Sequence, residues 1–143
     1  MSRPDSFLLS WGARTLQPIL LTLAIVTYYR GHHLPGGGFI AGLIAALSFM
    51  LIAMGDGVPA ARARLRIDPV LLSALGLSLA LGAALPGIID DGTLLGGLWL
   101  PPFALPLLGE IHLGTPLLFD AGVFLTVTGF AVNVVFALMA SSR

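Results

Sequence analysis

The chain has no cysteine and no lysine among its 143 residues, and only 10% of them are charged. Without cysteine there are no disulfides, no thiolate metal sites and no thiol catalysis. Without lysine there is no phosphate-cradling P-loop, which needs Lys followed by Ser or Thr, and no lysine relay inside a membrane. Formal net charge is zero, so nothing steers the chain toward nucleic acid, and no nucleic-acid partner is expected. A nucleophile, a base and an oxyanion donor do not occur together either, which makes a membrane-embedded enzyme the weakest class.

Apolar residues are plentiful. They make up 57% of the chain, and mean hydropathy is +0.97, far above a soluble domain of average composition. A transmembrane helix needs about 20 apolar residues. The pattern predicts an all-α membrane protein, a single integral domain with four transmembrane helices over approximately 7–29, 37–55, 69–88 and 116–140. The first segment ends in "TYYRGHH" rather than in small residues, so it reads as a helix and not as a cleaved signal peptide. Asp68-Pro69 and Thr115-Pro116 each offer an N-cap followed by proline at the first helical position. Pro18 is expected to kink the first helix. Residues 92–109 also lack charge, but Gly92, Gly96, Gly97, Pro101, Pro102 and Pro106 break any continuous helix there. They predict an ordered extracytoplasmic or re-entrant loop between helices 3 and 4, with Trp99 as a candidate interfacial anchor.

Arginine orients the chain. Four spans place Arg3, Arg14, Arg62, Arg64, Arg66 and Arg143 on one side and Arg30 alone on the other. The positive-inside bias then puts both termini in the cytoplasm and the loops around 30–37 and 90–116 outside. The "RARLR" run is read as this topogenic signal in preference to a site for anionic lipid.

One stretch stands apart from its surroundings: "GHHLPGGGF" at 31–39. A dinucleotide loop G-x-G-x-x-G would need Gly at 41, where Ala41 stands, and no cofactor is expected. Pro35, Gly36, Gly37 and Gly38 offer a fixed entry, backbone freedom and small volume. Gly38 and Gly42 form a small-xxx-small pair, extended by Ala41, Ala45, Ala46 and Ser48, which permits close approach of another helix. Phe39, Leu43, Leu47, Met50 and Met54 form the opposite, bulky stripe. Helix 4 has a similar small face in Gly122, Thr126, Gly129 and Asn133. Two such faces in a short chain suggest partners beyond its own helices.

"GHHLPGGGFIAGLIAAL" together with "GEIHLGTPLLFDAGVFLTVTG" resembles the two signature regions of the MnhB-like family, one of the small membrane subunits of the Mrp-type multi-subunit sodium/proton antiporters. The likeness runs from about Leu16 through helix 4. It departs at His33, where the family often has Asn, so His33 is not counted among required groups. The resemblance implies an accessory membrane subunit of a hetero-oligomeric antiporter in a bacterial cell membrane, surrounded by lipid, with sodium ions and protons carried by the whole complex. Large partner subunits would bear the proton relays. The residues agree independently, since no ionisable residue lies near the middle of any span. The same module in an energy-converting complex of the membrane-bound hydrogenase type, or a purely structural scaffold, are the alternatives.

The remaining polar candidates are Asp120, Arg30, Glu110, His112 and His32. Glu110 and His112 point the same way in an extended segment. With His32 they would form either a hydrated, pH-sensitive cation entrance or a set of hydrogen bonds holding the outer segment in place. Their spacing matches no zinc motif, and no metal is expected. Asp90 and Asp91 read as solvated loop charges. Asp120 lies about 6 Å inside helix 4 by helix rise and needs pairing, hydration or a place on an ion path. Arg30 is its expected partner; a cation passing through the complex is the other reading.

Overall fold

The computed structural model describes residues 4–31, 36–90, 92, 97–98, 100–101, 103–105, 109–111 and 114–141. Its elements are α1 (Pro4–Arg30), α2 (Gly38–Asp56), α3 (Val58–Leu65), α4 (Pro69–Ala84), α5 (Pro86–Asp90), a hairpin of β1 (Phe103–Leu105) and β2 (Gly109–Ile111), and α6 (Thr115–Ser141). Four helical stretches are long and apolar enough to cross a membrane, in α1, in α2, across α3 and α4, and in α6. The chain is an all-α membrane protein.

Local chemistry explains most of the boundaries, and in three places it departs from expectation. The arginine run is not a loop. It forms α3, which ends at Arg66 in the left-handed region (φ 63, ψ −5) with the Arg66 amide closing on Arg62 O. Asp68 then caps α4, its Oδ1 accepting from the amides of Val70 at 2.9 Å and Leu71 at 3.2 Å. The helix expected over 69–88 is divided at Leu85, because Pro86 has no N–H to continue the ladder and begins α5 instead. Thr115 does not act as a cap. Gly114 O takes the first helical bond, from Leu117 N at 3.1 Å. Thr115 instead clamps the preceding segment: its Oγ1 accepts from Leu98 N at 3.1 Å and its amide donates to Leu98 O at 3.0 Å.

The four long helices stand in a row. α1 packs on α2, α2 on α6, and α6 on α4, while α1 and α6 barely meet and α4 has no substantial contact with α1 or α2. The result is a single layer, not a closed bundle. α3 lies across one end of it against α2 and α6. In the hairpin, Phe103 stands opposite Ile111 and Ala104 opposite Glu110.

Small residues set the spacing of the row. The buried core is dominated by alanine, with Ala13, Ala46 and Ala53 beside Phe49, Ile52, Val132 and Phe136. All of the small stripe on α2 is buried, whereas Phe39, Leu43, Leu47 and Met54 are each more than two-fifths exposed. Backbones held this close gain dispersion contacts where lipid supplies no hydrophobic drive between helices.

Candidate functional site

The glycine-rich stretch meets α6 at one end of the layer. α1 ends at Arg30, and Thr27 O accepts from the amides of both Gly31 (3.1 Å) and Gly37 (3.3 Å), which folds the connection tightly back on itself. Gly31 and Gly37 lie so close that a β-carbon on Gly31 would overlap the Gly37 backbone. Gly37 sits at φ 98, a conformation that favours glycine. As the N-cap of α2 it has no side chain with which to accept a hydrogen bond.

Asp120 of α6 supplies the missing cap. Its Oδ1 accepts from Gly38 N at 2.7 Å, across 82 residues of sequence, at the positive end of α2 where a carboxylate is favoured. A β-carbon on Gly38 would collide with Asp120 O, and one on Gly42 would meet Phe124 O and Val127 Cβ at 2.9 Å. The glycines are therefore the recess into which α6 fits. Tyr28 of α1 reaches the same turn, donating to Leu117 O at 2.8 Å with its ring 6.0 Å from that of Phe124. A cavity of about 400 Å³ opens beside this junction, lined by Gly31, Gly36, Gly37, Ala83, Thr115, Pro116, Phe119 and Asp120.

Arg30 is not the partner of Asp120. The ion pairs among the described residues are Arg14–Asp56 and Arg62–Asp68, and Arg30 stands exposed in neither. The amide of Gly38 does what the Arg30 guanidinium was expected to do. Glu110 enters only as backbone in β2, opposite Ala104. His32, Pro35 and His112 lie outside the described residues.

The second small face is used within the chain as well. β-carbons on Gly122 and Gly76 would strike the facing backbones of α4 and α6, and one on Gly129 would meet Pro69 O and Ser73 Oγ at 2.6 Å. Ser73 Oγ and Thr126 O lie 3.3 Å apart across this contact, and Thr128 Oγ1 reaches Gly42 O at 3.3 Å across the other. Asn133 is half-buried farther along α6. Both small faces thus hold the layer together, and the surfaces left outward are the bulky ones.

Sequence reasoning missed the polar cluster at the opposite end. Arg14 binds Asp56 with two nitrogens, at 2.8 Å and 3.0 Å, and Ser10 donates to the same carboxylate. Gly55 lets Leu9 and Ser10 approach there. Arg64 of α3 donates to Oε1 of the buried Gln17, and Arg62 lies 5.3 Å above the ring of Phe136. The cluster ties α1, α2, α3 and α6 together. One signal was available: Asp56 ends a charge-free run, and Arg14 is the sole charge within the first span.

The fold is a membrane layer of four apolar helices with interlocked glycine faces and one helix capped from another. Residues 8–133 match the family described as "Domain related to MnhB subunit of Na+/H+ antiporter", and the chain belongs to that family. It is 29% identical to the B-type subunit of the Na(+)/H(+) antiporter of Alkalihalophilus pseudofirmus, over 95% of this chain and 94% of that one. It is 38% identical to the putative antiporter subunit mnhB2 of Staphylococcus haemolyticus, over 84% of each. A probable K(+)/H(+) antiporter subunit of A/B type from Rhizobium meliloti is 35% identical, over 87% of this chain, which spans only 12% of that one. Among solved structures, the Mrp complex from Dietzia sp. DQ12-45-1b matches with a TM-score of 0.75 and 32% identity, over 97% of this chain and 15% of the matched chain.

Proposed function

We propose that this chain is the accessory, scaffold-forming subunit of a multi-subunit sodium/proton antiporter, with both termini in the cytoplasm. In this reading it holds larger subunits together, while sodium ions and protons are moved by the complex as a whole. The observation that carries it is the open layer: four helices in a row whose only buried polar side chains among the described residues are Gln17, Ser48 and Thr128. None of these titrates as an acid or base, so the buried side chains among the described residues offer no proton relay. Meanwhile α1 and α6 present broad apolar faces, including Ile19, Ile25, Phe130 and Leu138, suited to lipid and to the helices of partner subunits. Names of relatives as antiporter subunits support the same reading.

A second reading places Asp120 on the cation path, because it lines the cavity at the α2–α6 junction. The test is to purify the complex through a tag on one of the other subunits, then to measure sodium-driven proton movement in everted vesicles, with and without this chain. Scaffolding predicts that its removal disperses the complex and abolishes antiport together. A complex that assembles without it but requires altered sodium concentrations would reject scaffolding and favour the cation path.

A further inference from the structure

The cavity at the α2–α6 junction contains a carboxylate that the chain itself uses only in part. Asp120 Oδ1 accepts from Gly38 N at 2.7 Å, and no hydrogen bond or ion pair reaches Oδ2 among the described residues. The side chain is half-buried and lines the cavity together with Gly31, Gly37, Ala83, Thr115 and Phe119. A carboxylate has two oxygens and about four lone-pair sites, so one amide leaves most of its capacity open. A half-buried charge in a membrane chain is costly unless something pairs with it. Arg30 does not, and the chain has no lysine.

Charge at this end of the layer is one-sided. From the last turn of α1, and from α5 to the first turns of α6, the sequence supplies one arginine, Arg30, and four carboxylates, Asp90, Asp91, Glu110 and Asp120. Negative charge is in excess there although the whole chain is neutral. A surface of one sign selects a partner surface of the other. Size separates the kinds of cation. A bare metal ion draws several oxygen ligands close around it, and no three His, Cys, Asp or Glu side chains gather as a metal site among the described residues. A volume of about 400 Å³ is instead that of a pocket for a small organic group, roughly 300–1,000 Å³. Ala83 and Phe119 make part of its wall apolar, and the methylene stem of an arginine or lysine packs on such a wall while its head meets the carboxylate.

We propose that a basic side chain of a partner subunit, an arginine or a lysine, enters this cavity and pairs with Asp120, while Gly38 keeps its cap. Asp120 then joins α2 and α6 to a neighbouring subunit through one carboxylate. The inference rests on the reading of the chain as a subunit of a larger assembly, and adds to it a particular contact and its chemistry.

The test uses the assembled complex, purified through a tag on another subunit, with a photoreactive benzophenone amino acid in place of Phe119 and the adducts mapped by mass spectrometry. An adduct to a partner segment with Arg or Lys within a few residues is expected. Changing that basic residue to Glu should then cut the yield about tenfold, because two carboxylates are brought together. Asp120→Asn in this chain keeps an acceptor for Gly38 N and should undo most of that loss. Adducts only to lipid or to this chain would overturn the proposal, as would a partner segment without Arg or Lys, or an equal loss with and without Asp120→Asn. So would a yield lowered by sodium but not by choline at matched ionic strength, the mark of a small-cation site. If the Phe119 variant does not assemble, the same probe in place of Pro116 decides by the same outcomes. Failure to recover any complex containing the unmodified chain would reject the subunit reading and this contact with it, whereas a recovered complex with no partner adduct rejects the contact alone.

Discussion

The amide of Gly38 donates to the carboxylate of Asp120 at 2.7 Å, so α2 is capped by a residue of α6 and not by its own sequence. An N-cap needs an oxygen acceptor, and Asn serves nearly as well as Asp, whereas Ala loses about 1 kcal/mol, within a range of roughly 0.5–2. Asp120→Ala should therefore lower the thermal stability of the purified complex, while Asp120→Asn stays near wild type and retains antiport. If Asp120→Asn assembles normally but loses sodium-driven antiport, the carboxylate charge is working on the cation and the structural assignment fails.

Glycines in this chain should divide sharply by what faces them. Gly38→Ala and Gly42→Leu would drive side chains into the backbone of α6, and should sharply reduce the amount of folded chain in the membrane. Gly82→Ala in α4 would meet nothing within 4 Å and removes a poor helix former, so stability should hold or rise by up to about 1 kcal/mol. Immunoblots of membranes and detergent-melting curves compare the three directly. Normal accumulation of Gly42→Leu would show that α2 and α6 do not need this closeness.

Arg14 and Asp56 join α1 to α2 where the row meets α3. Asp56 is the more enclosed partner, with side-chain exposure of 9% against 59% for Arg14. Removing the guanidinium strands an enclosed carboxylate, so Arg14→Gln should destabilise the chain, and Asp56→Asn beside it should recover part of the loss. A double-mutant cycle on melting temperature measures the coupling. Purely additive effects would mean that the pair contributes nothing as a pair.

With no native cysteine, topology can be read from single probes. Gly92 and Ala63 are both exposed. A membrane-impermeant thiol reagent applied to whole cells should label Gly92→Cys and spare Ala63→Cys, as the arginine asymmetry requires. The opposite labelling would invert the orientation and carry the glycine-rich connection to the cytoplasm.

Much of the architecture was legible before any coordinates, for reasons that are local. Four spans follow from long apolar runs, because a bilayer leaves unpaired backbone groups no alternative to helix. Asp68 caps α4 because its acceptor lies within two or three residues of the donors it serves. The small and bulky sides of α2 followed from helical spacing alone. The break at Leu85 also has a local cause, since Pro86 has no N–H with which to continue the α4 ladder.

Tertiary structure decided the rest, because it concerned groups brought together from distant parts of the chain. Spacing marks Gly38, Gly42, Gly122 and Gly129 as surfaces for close approach, but not which backbone approaches. Only the folded chain shows that each faces another helix of the same layer, leaving the bulky faces outward. Asp120 looked in need of a cation or a guanidinium because both are charges visible in sequence. Its actual partner is the backbone amide of Gly38, a donor every helix start presents, which becomes distinctive only when a carboxylate from another helix reaches it. Composition therefore determined that the chain enters the membrane and how often it crosses, since burial in lipid is settled segment by segment. Which polar groups meet was determined by packing, since hydrogen bonds act over about 3 Å and the sequence separates these partners by 82 residues.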